Sequence, residues 1–510
     1  MKRHTNCLWA PMIVLTALNA RAAEPVAPAN SAVPNLVGQV SQRLLSHLVN
    51  TPVENTTNIT DNILGTSVRG SVKTQGQIFP LLVPSANQGV LQLRFSGTSR
   101  SPGLVGQNGP ATIYSSSVTN SNMWKTVLFD EKGIRHLPTD GQAQTRVNIN
   151  GVSANRPLVE LIARRRANGS RGQAQAITSA KTKGRLKQEI DRGAKEPLLT
   201  AQDYFVNEFQ KPLRERGALP KLLRFSTTSD HLRLAMQQLG RSEMPLPTST
   251  PELKPQHDLT FALHGSAVNS LYEVFYAGET VRDKDWLQTM DTLTGDEPAP
   301  LRIKAGTPRW SVTLADKRPL DLSFGDGGVA VALHVKTLKL GERKLDGKFT
   351  ISVRYQLEKT SNGPVATRQE EVQVEGELDS GSAAERDEAV AHMKAKFAGV
   401  FLPTLSLGEV APPSDDLWSK LGKLLLVELD AKDGWLVAGY QLPAPKTQLV
   451  SRPAASDSRV ASYQPTSTAP RVTKQDLDTA EAWLTKASVK HQAAKKFLPH
   501  FQRMRSGGCH

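Results

Sequence analysis

The chain has 510 residues, 38% of them hydrophobic and 22% charged, which excludes both a single small domain and wholesale disorder. Aromatic residues make up only 5%, so large core anchors are few. The formal charge of +15 favours polyanions, anionic lipid or acidic glycans, and by itself names none of them.

Lys2, Arg3 and His4 precede an apolar stretch from Cys7 to Leu18, which ends at Ala20-Arg21-Ala22. A positive start, a short apolar core and a small-residue exit are the pattern of a secretory signal peptide, here over 1–22. The apolar core is shorter than a membrane span, and no later stretch reaches that length. The mature chain is therefore expected to be exported, to the periplasm or beyond, and to carry no transmembrane helix. Cys7 leaves with the signal, so Cys509 has no internal partner and a thiolate metal site is excluded.

Residues 23–34, rich in Pro, Ala and Asn, read as a leader. An N-terminal region of helix plus sheet then occupies 35–156. Val37, Val40, Leu44, Leu45 and Leu48 predict a helix over 35–50, ended by Pro52. Strands follow over 63–155, where Leu91, Leu93 and Phe95 alternate with Gln92 and Arg94.

A basic helical connector spans 157–220. Leu158, Leu161 and Ile162 open its first run, interrupted at Asn168-Gly169-Ser170. A second run covers 173–194, and Thr200 caps a more apolar helix with Tyr204, Phe205, Phe209 and Leu213.

A second β-rich region spans 221–443. Leu232, Leu234 and Met236 alternate, as do Leu425, Val427 and Leu429. Phe349, Ile351, Val353, Tyr355 and Leu357 give the strongest alternation of all. Helices are expected near 268–276 and 383–397, and turns at Asn362-Gly363 and Asp433-Gly434. Residues 444–472 read as a Pro/Ser/Thr linker. Residues 473–510 read as a basic C-terminal helix opened by a capping box at Thr473 and Asp476. Gly65-Thr66-Ser67-Val68-Arg69 echoes Gly278-Glu279-Thr280-Val281-Arg282, as two related halves would. The fold class is α+β: two antiparallel β-rich regions packed with helices and joined by a basic helical segment.

No motif identifies a reaction. His231 follows Asp230 at a strand start, where adjacent side chains point to opposite faces, and no nucleophile elbow accompanies it. His264 closes a strand ahead of Ser266, the expected helix cap. Asp326 lies between glycines in Phe324-Gly325-Asp326-Gly327-Gly328, which suits a tight turn better than a calcium loop. These three are the candidate catalytic groups, and no metal site or cofactor is expected. Arg164, Arg165, Arg166, Lys181, Lys183 and Arg185 form a candidate anion-binding set. Few aromatics lie among them, so a lipid or an anionic envelope polymer is a better partner than nucleic acid.

Several stretches carry a resemblance: Ile63 to Gly70, Asn108-Gly109-Pro110, Asp258 to Leu271, Trp310 to Gly328 and Asp433 to Pro443. Over about 41–443 they resemble an uncharacterised family of large exported proteins of planctomycete-type bacteria. That family has no established activity, so the resemblance transfers no functional residue. The layout of helix and long sheet, twice over, also looks like the tubular lipid-binding (TULIP) superfamily. The leading expectation is an exported, non-enzymatic envelope protein with a binding or structural role, holding an apolar or lipid ligand between sheet and helix. The alternatives are a hydrolase of an envelope polymer and a polyanion-binding protein.

Overall fold

A computed structural model describes residues 32–294, 301–302, 309–360, 363–407, 409–410 and 424–443. The signal, most of the leader, Asn362, the linker, the C-terminal helix, Cys7 and Cys509 lie outside them. The first elements are strand β1 (Leu36–Ser41), helix α1 (Gln42–Val49) and strands β2 (Thr51–Ile63), β3 (Thr66–Leu82), β4 (Gly89–Asn108), β5 (Ala111–Asp130), β6 (Gly133–His136) and β7 (Asp140–Ala154). Helices α2 (Pro157–Gly169) and α3 (Arg171–Asp203), a π-helical stretch (Tyr204–Gln210) and α4 (Lys211–Glu215) come next. The chain continues through β8 (Leu222–Thr227), β9 (His231–Gln237), β10 (Leu259–His264), α5 (Gly265–Tyr276), β11 (Thr280–Arg282) and α6 (Asp283–Thr294). Strands β12 (Trp310–Leu314), β13 (Leu320–Gly325), β14 (Gly328–Leu340), β15 (Arg343–Thr360), β16 (Gly363–Arg368) and β17 (Gln373–Leu378) precede helix α7 (Ala383–Val400). The last described strands are β18 (Thr404–Ser406), β19 (Glu409–Val410), β20 (Leu424–Lys432) and β21 (Trp435–Gln441).

The fold is α+β and β-rich, with antiparallel sheets. A central sheet has the order β19-β20-β21-β10-β1-β9-β8. It is symmetric about the β1–β10 pair: each of those strands has a hairpin on its outer side, and each leads directly into a helix. Between β1 and β8 the chain builds one long sheet, β2-β3-β4-β5-β6, with β7 also on β5. Between β10 and β20 it builds another, β11-β12-β14-β15-β16-β18, with β13 on β14 and β17 on β15. Helices α2 and α3 follow the first long sheet, and α7 follows most of the second. Gly65 and Gly278, the glycines of the sequence echo, both take a positive φ, +76° and +73°, just before a strand.

The predicted helix over 35–50 is two elements. Residues 36–41 are a buried strand clasped by β9 and β10, and Ser41 caps α1 by accepting the Leu44 amide at 3.0 Å. A short apolar run suits either element locally, and pairing on both edges decides for the strand. Pro52 ends no helix; it lies in β2, an edge strand that tolerates a missing donor. Leu425, read as inward-facing, is 40% exposed, while Leu424 and Leu426 are buried. A bulge after Leu426 explains the change of phase. Thr200 caps nothing, because α3 runs through it and past Pro197 without a break. Helix α6 was not expected; its Trp286 and Met290, four residues apart, are buried against the second sheet.

In that half the space between sheet and helices is filled. Trp286, Trp310, Phe349, Met393 and Phe397 interlock, with Phe397 5.3 Å from Trp286 and 6.1 Å from Trp310 between ring centres. Val335 faces Phe349, and Leu333 faces Ile351, in the β14–β15 pair. These are the large alternating residues of the sequence, and they pack as a core normally does.

Candidate functional site

The corresponding space in the first half is not filled. Between the sheet of β2–β7 and helices α2 and α3 lies a cavity of about 690 Å³. Strands β2, β3, β5 and β7 contribute alternate residues to it, as the two-residue repeat of a strand requires, and β4 adds Ser99, Ser101 and Leu104. From β2 come Thr57, Ile59, Asp61 and Ile63; from β3, Thr66, Val68, Val72 and Thr74; from β5, Ala111, Ile113, Ser115, Ser117 and Thr119; from β7, Val147 and Ile149. Helix α2 supplies Val159, Ile162, Ala163 and Ala167. Most of these strand side chains are small or aliphatic, the charged lining groups are Asp61 with Arg166, Arg171, Lys181, Arg185 and Glu189 of the helices, and none of the lining residues is aromatic.

Three of the hydroxyls in this wall, Thr74, Ser99 and Thr119, are paired with another hydroxyl. Thr74 and Ser99 are 2.8 Å apart, and so are Thr119 and Thr145. With their polar atoms paired, such residues present methyl and methylene groups to the space. The walls therefore suit an apolar occupant that makes few directional bonds. Phe95, Met123 and Leu186 close a small apolar cluster beside it.

Helix α3 buries only Leu186, so apolar packing is a minor part of its attachment. Polar ties hold it along its length. Arg171 donates to the Val147 carbonyl at 2.6 Å and to Asn148 Oδ1 at 2.9 Å. Ser179 Oγ accepts the Thr145 amide at 2.9 Å. Lys181 and Arg185, one turn apart, both pair with Asp61. Burial pushes the Asp61 carboxyl up, but the Lys181 hydrogen bond and the Arg185 charge outweigh it and hold the group below its ordinary value. Lys183 reaches Asp140 at 3.0 Å, and Lys187 reaches it at 3.6 Å. Further along, Asp191 Oδ1 accepts from Lys125 Nζ at 2.6 Å. The helix is thus a roof pinned by polar contacts over an apolar space.

Of the basic candidates, Lys181 and Arg185 line the cavity and Lys183 turns to a different partner. Arg166 lines the cavity from α2, and Arg164 pairs with Glu160 at 2.7 Å. Arg165 is exposed on α2. The sequence reading did not include the strand residues or Asp61. Their signal is a strict alternation in which Ser and Thr stand where aliphatics are usual, as in Thr57-x-Ile59-x-Asp61-x-Ile63.

The two histidine candidates lie far apart, and the Asp326 turn packs on the Asp433-Gly434 turn beside His264. His231 pairs in register with Ser41 at one end of β1, while the His264 amide donates to the Asn35 carbonyl beyond the other. Six residue steps separate those positions, roughly 20 Å of strand. His231 is buried, its Nε2 3.1 Å from the Pro255 carbonyl oxygen, and burial lowers its pKa against the opposing pull of that carbonyl. His264 itself, rather than Ser266, caps α5: its Nδ1 accepts the Ser266 amide at 3.2 Å, and burial lowers its pKa too. Asp326 and Gly327, with φ of +49° and +70°, form the two-residue turn joining β13 to β14. Among the described residues no cluster of three or more His, Cys, Asp or Glu side chains has metal-binding proximity. No described helix is long and apolar enough to cross a membrane.

No protein-family model matches the sequence, and no curated protein matches it. Among solved structures, a crystal structure of a lipopolysaccharide-binding protein is similar at 12% identity and a TM-score of 0.29, covering 80% of this chain and 99% of that one. P47 of Clostridium botulinum E1 is similar at 10% identity and 0.24, covering 81% and 100%. P47 from Clostridium botulinum A2 is similar at 9% identity and 0.23, covering 80% and 97%. Scores this low leave the cavity itself as the ground of the functional reading.

Proposed function

We propose that the chain binds a ligand with an extended apolar portion, of the lipid class, between the β2–β7 sheet and helices α2 and α3. One observation carries the reading: two halves of like strand order treat the same space differently. The second half fills it with Trp, Phe and Met. The first lines it with Val, Ile, Ala, Ser and Thr, adds charged groups such as Asp61, Lys181 and Arg185, and leaves about 690 Å³. A ligand's hydrocarbon portion placed against the aliphatic part of this lining removes apolar surface from water, worth about 25 cal/mol per Å².

The test is native mass spectrometry of the purified chain, then titration of the delipidated protein with cis-parinaric acid. Ser117→Phe and Ala111→Phe put rings into the cavity. Expected are a co-purifying adduct removed by delipidation, saturable probe binding, and at least a tenfold loss of probe affinity in each variant. Melting temperatures should change little, because the rings enter open space instead of overpacking a core. Absence of both adduct and probe binding, or unchanged affinity in both variants, would sink the reading.

We also propose, from the pattern at 1–22, that this binding takes place outside the cytoplasm, in the cell envelope. Fractionation and N-terminal sequencing test it. The expected result is an envelope form lacking residues 1–22, and a cytosolic form that retains them overturns the proposal.

A further inference from the structure

Helix α2 carries a second feature that the cavity does not use. No residue of this helix is buried. Leu158, Leu161 and Ile162 are 69%, 64% and 59% exposed, the three most exposed of the large hydrophobic side chains described. At about 100° per residue they fall with Arg165 inside one arc of roughly 100°. Val159, Ala163 and Ala167 lie on the other side and line the cavity, and Ile162, at the edge of the exposed arc, reaches it as well. The helix is therefore apolar on both sides, and only one of them has a partner.

The charge around it is strongly one-sided. From 156 to 171 there are five arginines, Arg156, Arg164, Arg165, Arg166 and Arg171, against one acid, Glu160. Among the described residues, only Arg164 of the three consecutive arginines pairs with a carboxylate. Exposed aliphatics ringed by arginine are the composition of a helix lying in a bilayer interface, where the aliphatics enter the acyl boundary and the guanidinium groups remain among phosphates. Glu160 alone would answer five arginines if two copies met face to face, so self-association brings like charges together.

We propose that the outer face of helix Pro157–Gly169 docks on an anionic lipid bilayer, with Leu158 and Leu161 as the inserting residues, Ile162 at the edge between that face and the cavity, and the flanking arginines as the phosphate contacts. Docking sets the surface against the helix that covers the cavity. The inference does not depend on the cavity being occupied.

The experiment is co-sedimentation of the full chain with vesicles of phosphatidylcholine alone and of phosphatidylcholine mixed with phosphatidylglycerol. The wild-type chain is expected to bind the mixed vesicles, to bind pure phosphatidylcholine weakly, and to lose binding as salt is raised. Arg164→Gln/Arg165→Gln should lower partitioning by about 30-fold, at about 1 kcal/mol per basic residue near the surface. Leu158→Ser/Leu161→Ser should lower it at least tenfold. Neither Leu158 nor Leu161 lines the cavity, so this second variant should keep its cis-parinaric acid affinity, which separates docking from ligand binding. Leu161→Trp supplies a readout that needs no loss of function: its emission should shift to the blue on mixed vesicles and not on pure phosphatidylcholine. The proposal falls if the wild-type chain ignores mixed vesicles, if the serine variant sediments like the wild type, or if the tryptophan emission stays fixed. A concentration-dependent dimer abolished by the serine changes, without vesicle binding, would also overturn it by giving the face to a second copy.

Discussion

Asp258→Ala is expected to cost about 3 kcal/mol of folding stability at neutral pH, because it leaves the Ser41 hydroxyl and the Leu442 amide without their acceptor and removes the Arg43 pair. Asp258 is 2% exposed and immediately precedes β10. Its Oδ1 accepts from Ser41 Oγ and from Arg43 Nε, each at 2.8 Å. Its Oδ2 accepts the Leu442 amide at 2.8 Å and a second bond from Arg43. Its backbone amide donates to the Tyr440 carbonyl, and its own carbonyl accepts the Ser41 amide, both at 2.8 Å. One residue thus ties together the end of β1, the first turn of α1 and the end of β21, at the centre of the symmetric sheet. Burial raises its pKa, but Arg43 and the Leu442 and Ser41 donors outweigh burial and hold it below the ordinary carboxylate range. The folded value is therefore below the unfolded one. The stability this provides is present above the unfolded pKa and is lost as pH falls through the folded one. Urea denaturation at neutral pH should show the full penalty, and the penalty should shrink below the ordinary aspartate pKa. Arg43→Ala should cost less, about 1–2 kcal/mol, since Arg43 is 57% exposed and two neutral donors, Ser41 Oγ and the Leu442 amide, remain. A penalty below about 1 kcal/mol for Asp258→Ala, or one independent of pH, would contradict this account.

The parts of the fold legible in the sequence are those where one large apolar side chain alternates with polar neighbours. Leu232, Leu234 and Met236 on β9, and Phe349 to Tyr355 on β15, face inward as their spacing requires. The helix break at Asn168-Gly169-Ser170 also stands where the residues put it, with Ser170 between α2 and α3. Less legible were elements whose character depends on distant partners. β1 has a helical spacing and becomes a strand because β9 and β10, about 200 residues downstream in the chain, supply both edges. One face of β2 mixes Val53, Ile59 and Ile63 with Asn55, Thr57 and Asp61, so it is recognisable as a cavity face only once Thr is counted as a wall residue. The basic run on α3 looks like a solvated face, yet Lys181 pairs with Asp61, 120 positions earlier. No local pattern encodes that meeting. The cavity itself has no sequence motif, because its lining residues come from five strands and two helices far apart in the chain.

Asp191→Ala is expected to cost about 3 kcal/mol and to loosen helix α3 from its sheet, whereas Lys125→Met should be nearly neutral. Lys125 points from β5 to the helix and its side chain is only 2% exposed. Its ammonium donates to Asp191 Oδ1 at 2.6 Å and to the Leu137 carbonyl at 3.2 Å. Asp191 Oδ1 also accepts from Thr139 Oγ1 at 2.6 Å and from the Thr139 amide at 3.2 Å. Truncating the carboxylate leaves a buried positive charge facing one neutral carbonyl, which is the expensive way to break such a pair. Asp191 is 39% exposed, so water screens its side of the interaction, and the lower end of the usual range applies. Methionine at 125 keeps the apolar stem and removes the charge, which returns Asp191 to its Thr139 donors and to water. The double variant Lys125→Met/Asp191→Ala should accordingly regain most of what Asp191→Ala loses, a coupling of about 2 kcal/mol. Amide exchange tells this apart from a global effect: in Asp191→Ala, protection should fall first along 171–203, where Leu186 is the one buried residue and polar pins hold the rest. If the single and double variants are equally unstable, or if exchange rises uniformly across both long sheets, the ammonium does not pin this helix, and the roof over the cavity is held by something other than charge.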